Sequence, residues 1–117
     1  MTPESRLAAE IHLACSHGPI RLFRQQVGLA WTGTVIQRSA RTITLQDYRP
    51  FKSGFTGLAD FTGWVTRDEQ AIFAALEVKS ARGRLSEDQA AFLDAVRRAG
   101  GIAGVARSVD DAIALLR

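Results

Sequence analysis

The sequence predicts an α/β fold: a mixed β-sheet flanked by helices. Three observations lead there. Two apolar runs, Leu58–Val65 and Ala71–Lys79, flank a polar turn at Thr66–Gln70 and read as an antiparallel hairpin. A helix opened by Ser86 and closed at Gly100–Gly101 then leads to a short apolar run, Ile102–Ala106. Strand, helix and strand make a βαβ crossover, so the runs at 71–79 and 102–106 should lie parallel and right-handed. Helical patterns at both ends complete the order αβ(ββ)ββαβα, one domain over residues 1–117.

The first helix is expected from Thr2, a suitable N-cap before Pro3, to about Ser16. Leu7, Ala8, Ile11 and Cys15 form its apolar stripe. Glu4 falls on that stripe and Glu10 does not. An acid aimed at the core side calls for a reason, and a first-turn acid complementing the helix dipole is the plain one. His17-Gly18-Pro19 breaks the helix. Ile20–Val27 reads as a strand whose polar side includes Arg24. Thr34–Gln37 and Thr42–Leu45 suggest a short hairpin around Arg38-Ser39-Ala40-Arg41. Arg38, Arg41, Arg49 and Lys52 accompany Tyr48 and Phe51 there, a combination suited to DNA backbone contact or to an ordinary solvated hairpin. Trp31 reads as a core or dimer-interface residue. Phe92, Leu93 and Val96 should pack inward from the 86–99 helix, as should Val109, Ala112, Ile113 and Leu116 from a last helix capped by Ser108.

Composition bounds the function. The chain has 117 residues, 46% hydrophobic and 23% charged, enough for one ordinary globular core. No apolar run approaches a membrane span and no signal-peptide pattern is present, so a cytoplasmic location is the default, in a host cytoplasm if the gene is viral. Cys15 is the only cysteine, which excludes an internal disulfide and a cysteine-rich zinc site; it reads as a small core residue. His12 and His17 lack ligand partners at useful spacing and read as surface groups. Net charge is +3, and Lys52 and Lys79 are the only lysines among fifteen bases. Arginine suits bidentate phosphate contacts, although a GC-rich genome gives the same skew.

The strongest chemical signal lies between Gly54 and Lys79. Period-two alternation sets Glu77 and Lys79 on one face of a strand that is otherwise apolar. A hairpin centred between Asp68 and Glu69 pairs Asp60 with Glu77, their Cβ atoms about 5 Å apart; a loop of another length would shift this register. Opposed like charges destabilise a sheet unless a divalent cation or a proton compensates. Mg²⁺ commonly takes one or two carboxylates plus water and phosphate oxygens. A solvated Glu–Lys pair is the plain alternative, and Gly54, Gly57 and Gly63 also suit turns or a bulge. Beyond Lys79, Arg82 and Arg84 lie in a basic loop and are phosphate-binding candidates. Ser86 and Gln89 have capping-box spacing.

Gly57-Leu58-Ala59-Asp60, Glu77-Val78-Lys79, Gly83-Arg84-Leu85-Ser86 and Gln89, in this order and spacing, resemble the VRR-NUC family of PD-(D/E)xK nucleases, from Glu4 to about Leu116. Ala59 departs from the proline of the superfamily's name. The resemblance implies a restriction-endonuclease-like core and a Mg²⁺- or Mn²⁺-dependent deoxyribonuclease. It implies that Glu4, Asp60, Glu77 and the Val78 carbonyl bind metal, that Lys79 positions the attacking water, and that Gln89 turns toward the site. It also implies a homodimer acting on branched or junction DNA, as Holliday-junction resolvases do. The competing expectations are a nuclease-fold binding module without activity and a small interaction protein in which Glu77–Lys79 is structural.

Overall fold

The computed structural model describes all residues, 1–117, which form two compact units: 1–25 with 56–117, and 26–55. The larger unit contains α1 (Pro3–Cys15), β1 (Ile20–Arg24), β4 (Phe61–Arg67), β5 (Gln70–Val78), α2 (Glu87–Arg98), β6 (Ile102–Ala106) and α3 (Val109–Leu116); the smaller contains β2 (Gly28–Arg38) and β3 (Ile43–Ser53).

The larger unit is built on a four-stranded sheet in the order β1-β4-β5-β6. β4 runs antiparallel to both β1 and β5, and β6 runs parallel to β5, so the mixed sheet and its βαβ unit are as expected. On one face, Ala74, Leu76 and Val78 of β5 pack with Ala8, Ile11 and Cys15 of α1 and with Ala112 and Leu116 of α3. On the other, Ala75 and Ala103 pack with Leu93 and Val96 of α2. Burial on both faces explains why β5 reads as a nearly continuous apolar run. The helix ends follow their local signals. Thr2 Oγ1 accepts from the Ser5 N–H (3.1 Å), and Ser108 Oγ accepts from the Asp111 N–H (3.0 Å). Both histidines are exposed, although the His12 ring stacks on Phe61 at 5.6 Å between centroids.

The β4–β5 turn is the two-residue loop Asp68–Glu69, with φ of 51° and 64°. Positive φ at both positions gives the primed-type turn whose twist matches the flanking strands. This loop fixes the register: Arg67 pairs with Gln70 and Phe61 with Leu76. One more step sets Asp60 opposite Glu77, the expected juxtaposition. The strand expected from Leu58 starts instead at Phe61. The preceding chain is a loop because Gly57 must pass against α2: its φ is +92°, and a Cβ there would lie 2.6 Å from the Asp88 carbonyl oxygen. Similarly, β1 ends at Arg24 rather than Val27.

In the smaller unit β2 and β3 pair antiparallel, with register shifts at Thr32/Thr34 and Val35/Gln37. Each strand has eleven residues, far longer than the four-residue pieces expected. A bulge accommodates Gly33 within β2, and a ribbon of two strands, each with a free edge, tolerates Pro50 within β3. Trp31, expected in a core or interface, is 53% exposed and stands edge-on to Tyr48.

Gly57→Ala should destabilise the protein by about 1–3 kcal/mol, because it imposes left-handed strain and a clash with α2. Urea denaturation of the two proteins measures the difference; equal midpoints would contradict this packing.

Candidate active site

Asp60 lies between the two strands beside β4. Its carbonyl accepts from the Gln25 N–H (2.7 Å), extending the β1–β4 ladder by one step. Its carboxylate Oδ2 accepts from the Val78 N–H (2.8 Å), across the end of β5. Both bonds aim Asp60 toward Glu77, which is only 3% exposed. Glu77 Oε1 accepts from Gln89 Nε2 (3.2 Å) and lies 3.8 Å from Lys79 Nζ. Oε2 is buried with no hydrogen-bond partner.

Gln89 satisfies two expectations at once. Its Oε1 accepts from the Ser86 N–H (2.9 Å) and Ser86 Oγ accepts from the Gln89 N–H (3.1 Å), closing the capping box. The Nε2 left over is the group that reaches Glu77. The cap therefore locks the amide that orients the buried acid.

The electrostatics follow from this geometry. Burial raises the Glu77 pKa from 4.5 to about 8, assisted by the hydrogen-bonding proximity and the charge of Asp60; the Lys79 charge opposes the shift. A carboxylate oxygen without a donor, buried opposite a second carboxylate, accepts either a proton or a cation. A divalent ion fits this donor set. No group of three His, Cys, Asp or Glu side chains is arranged to hold a metal, so an ion here would rest on the Asp60–Glu77 pair alone among the acids.

Glu4 stands apart from that pair. Its Oε1 accepts from the Ser80 N–H (3.1 Å), and a Cβ on Gly83 would lie 3.1 Å from the same oxygen and 3.3 Å from Lys79 Cδ. Glu10 is exposed, so Glu4 is the first-helix acid that reaches the loop after β5. Arg82 and Arg84 are exposed on that loop. Arg24 is exposed at the end of β1, its guanidinium 5.4 Å from the Phe61 ring centroid. Arg38, Arg41, Arg49 and Lys52 are exposed on the β2–β3 unit. None of these seven bases forms an ion pair; the two in the protein are Lys79–Glu77 and Arg98–Asp94. Unpaired guanidinium groups remain available to phosphate.

Arg107 is absent from the sequence-based expectations. Its Nη1 donates to the Ser80 carbonyl (2.6 Å) and the Gly83 carbonyl (2.7 Å), and the Gly83 N–H donates to the Ser80 carbonyl (3.1 Å). Arg107 thus clasps the turn that follows Lys79 and whose amide holds Glu4. No motif signals it, because the contact joins the end of β6 to a loop more than twenty residues earlier.

Two outcomes follow. Without metal, a carboxyl whose folded-state pKa is raised contributes fully below its unfolded value, near pH 4.5, and loses that contribution as pH rises toward 8. Glu77→Gln removes this dependence. In EDTA the variant should melt close to wild type near pH 4.5 and several degrees above it at pH 8; no difference at pH 8 would contradict the repulsive pair. Separately, Arg107→Ala should loosen the Ser80–Gly83 turn and lower kcat of the reaction at this site roughly tenfold with little change in KM. Arg107→Lys, a single-point donor, should recover only part of the loss.

Comparison with known proteins identifies the family. Searches of the curated proteins and of the solved structures find no match. The family model described as the VRR-NUC domain matches residues 9–110, most of the chain. The chain therefore belongs to the VRR-NUC family, a nuclease family with a PD-(D/E)xK-like fold.

Proposed function

We propose that this nuclease domain is a Mg²⁺- or Mn²⁺-dependent endonuclease that hydrolyses branched DNA, junctions included, and works as a homodimer. The observation that carries the reading is the buried Glu77 oxygen without a donor, facing Asp60 and flanked by Lys79 and Gln89. Without a cation that oxygen takes a proton, in line with the raised Glu77 pKa; a divalent ion in its place meets both carboxylates.

Asp60 and Glu77 would hold the ion, with the Val78 carbonyl as a further donor, while Glu4, expected among the metal ligands, stands apart and holds the Ser80 turn. When bound, the ion supplies Lewis acidity toward the phosphate and lowers the pKa of a bound water. Lys79 Nζ holds the attacking water and then faces the charge that develops on the phosphate oxygens. Gln89 keeps Glu77 oriented through its capped amide. Arg82 and Arg84 hold the strand's phosphates. Water oxygen forms the new bond to phosphorus as the bond to the leaving sugar oxygen breaks; the water gives up a proton to solvent, and the leaving oxygen takes one up.

Homodimer formation is supported by an uncovered aromatic face on the larger unit. Phe23 and Trp64 pack together (5.5 Å between centroids), and both, with Phe73, remain exposed beside the area covered by α2. Such a face suits a protein partner.

The test is cleavage of four-way junction, flap, nicked, duplex and single-stranded DNA, with Mg²⁺, Mn²⁺ or EDTA. Cleavage should require metal and favour branched forms. Lys79→Ala should lower kcat by about 100-fold or more without lowering the melting temperature. Metal-independent cleavage, or a fully active Lys79→Ala protein, would refute the assignment. Light scattering that returned a monomer with junction DNA both present and absent would remove the dimer.

A further inference from the structure

The smaller unit has no role in the chemistry described above, yet it is the most unusual surface of the molecule. It is a two-stranded ribbon in which no residue of either strand is buried; all but Leu45 and Ser53 are exposed. Isolated two-stranded ribbons are marginal in water, and apolar side chains on both of its strands face solvent. Trp31, Gly33, Val35, Ile43, Leu45 and Tyr48 line a groove along it. The Trp31 and Tyr48 rings, 53% and 63% exposed, stand edge-on with centroids 5.5 Å apart. Phe51, paired across from Ala30, is 53% exposed.

Charge decides what kind of partner this groove fits. Residues 26–55 hold four of the fifteen bases, Arg38, Arg41, Arg49 and Lys52, and one of the twelve acids, Asp47. That unit therefore carries the chain's whole formal charge of +3, and the eleven bases and eleven acids elsewhere cancel. A second copy laid against the ribbon would bring two +3 surfaces together. A polyanion is attracted instead. Phosphate contacts need only the bases, whereas exposed aromatic rings gain stacking partners only from bases that are themselves unstacked. A continuous duplex hides those ring faces; a gap, flap or opened branch point presents them.

We propose that the β2–β3 ribbon is a stacking arm for unpaired nucleotides, with Trp31 and Tyr48 as base platforms and Arg49, Lys52, Arg38 and Arg41 as backbone contacts. It gives the nuclease its preference for DNA that contains single-stranded segments. The inference rests on the proposed DNA-cleaving function, since it names the feature of the substrate that is recognised.

The experiment uses the full chain in EDTA, with wild type and Trp31→Phe compared so that the difference in emission reports Trp31. Emission is followed during titration with oligo-dT and with a blunt duplex of equal charge. Oligo-dT should quench Trp31. Trp31→Leu and Tyr48→Leu, which keep apolar bulk and lose the ring, should weaken oligo-dT binding roughly 5- to 100-fold while duplex affinity changes less than about threefold. Arg49→Gln should weaken both ligands and flatten the salt dependence. Circular dichroism melts report whether each variant folds; if a leucine variant does not, Trp31→Phe should retain binding and Trp31→His should weaken it selectively. Equal losses on both ligands, or no quenching and no loss, overturn the stacking arm. So does a Trp31→Leu protein that turns from dimer to monomer with unchanged oligo-dT affinity, which assigns the groove to a second copy. Wild-type protein that neither binds nor cleaves any DNA refutes the underlying function instead. Metal-dependent duplex cleavage with ring-insensitive oligo-dT binding refutes the arm alone.

Discussion

Two carboxylates pressed together at the buried end of a hairpin are the constraint around which this unit is built. Asp60 and Glu77 meet because Asp68–Glu69 closes a two-residue turn and the register runs unbroken to the end of β4. Their repulsion is a cost to the fold, and the surroundings hold the pair in place rather than relieve it. Gln25 and Val78 N–H groups fix Asp60, and the capped Gln89 fixes Glu77. Lys79 lies at 3.8 Å from Glu77, close enough to attract and too far for a tight hydrogen bond. One Glu77 oxygen is left without a donor, and a proton or a cation satisfies it.

The elements around that pair have distinct tasks. The inner faces of the sheet are filled by small residues, Ala74, Ala75, Ala103 and Ala106, which let helices approach closely on both sides. Gly57 lets the Asp60 loop reach the first turn of α2, so the loop and the helix bearing Gln89 are joined mechanically. Arg107 joins the end of β6 to the turn after Lys79. Three loops distant in sequence are thus tied to one strand end, where electrostatic preorganisation is worth most.

Charge is divided as sharply as structure. The unit that carries the acid pair is formally neutral, and the β2–β3 ribbon carries the net positive charge. That separation suits a nuclease, whose substrate is a polyanion.

Much of this was legible in the sequence because it depends on local rules. Period-two alternation placed Glu77 and Lys79, turn symmetry placed Asp60 opposite Glu77, and the Ser86–Gln89 spacing marked the start of α2. The order and spacing of those motifs also identified the family. Other features were decided only by tertiary structure. Whether Gln89 capped its helix or faced the site was undecidable from spacing, because its amide has an oxygen for one task and a nitrogen for the other. The length of the ribbon was hidden because Gly33 and Pro50 break a strand in general but not at a bulge or a free edge. Arg107 had no signal, since its bonds go to backbone carbonyls, which every residue possesses. Side-chain periodicity is a property of the chain and can be read along it, whereas the burial of Glu77 and the clasp of Arg107 exist only once distant segments have packed.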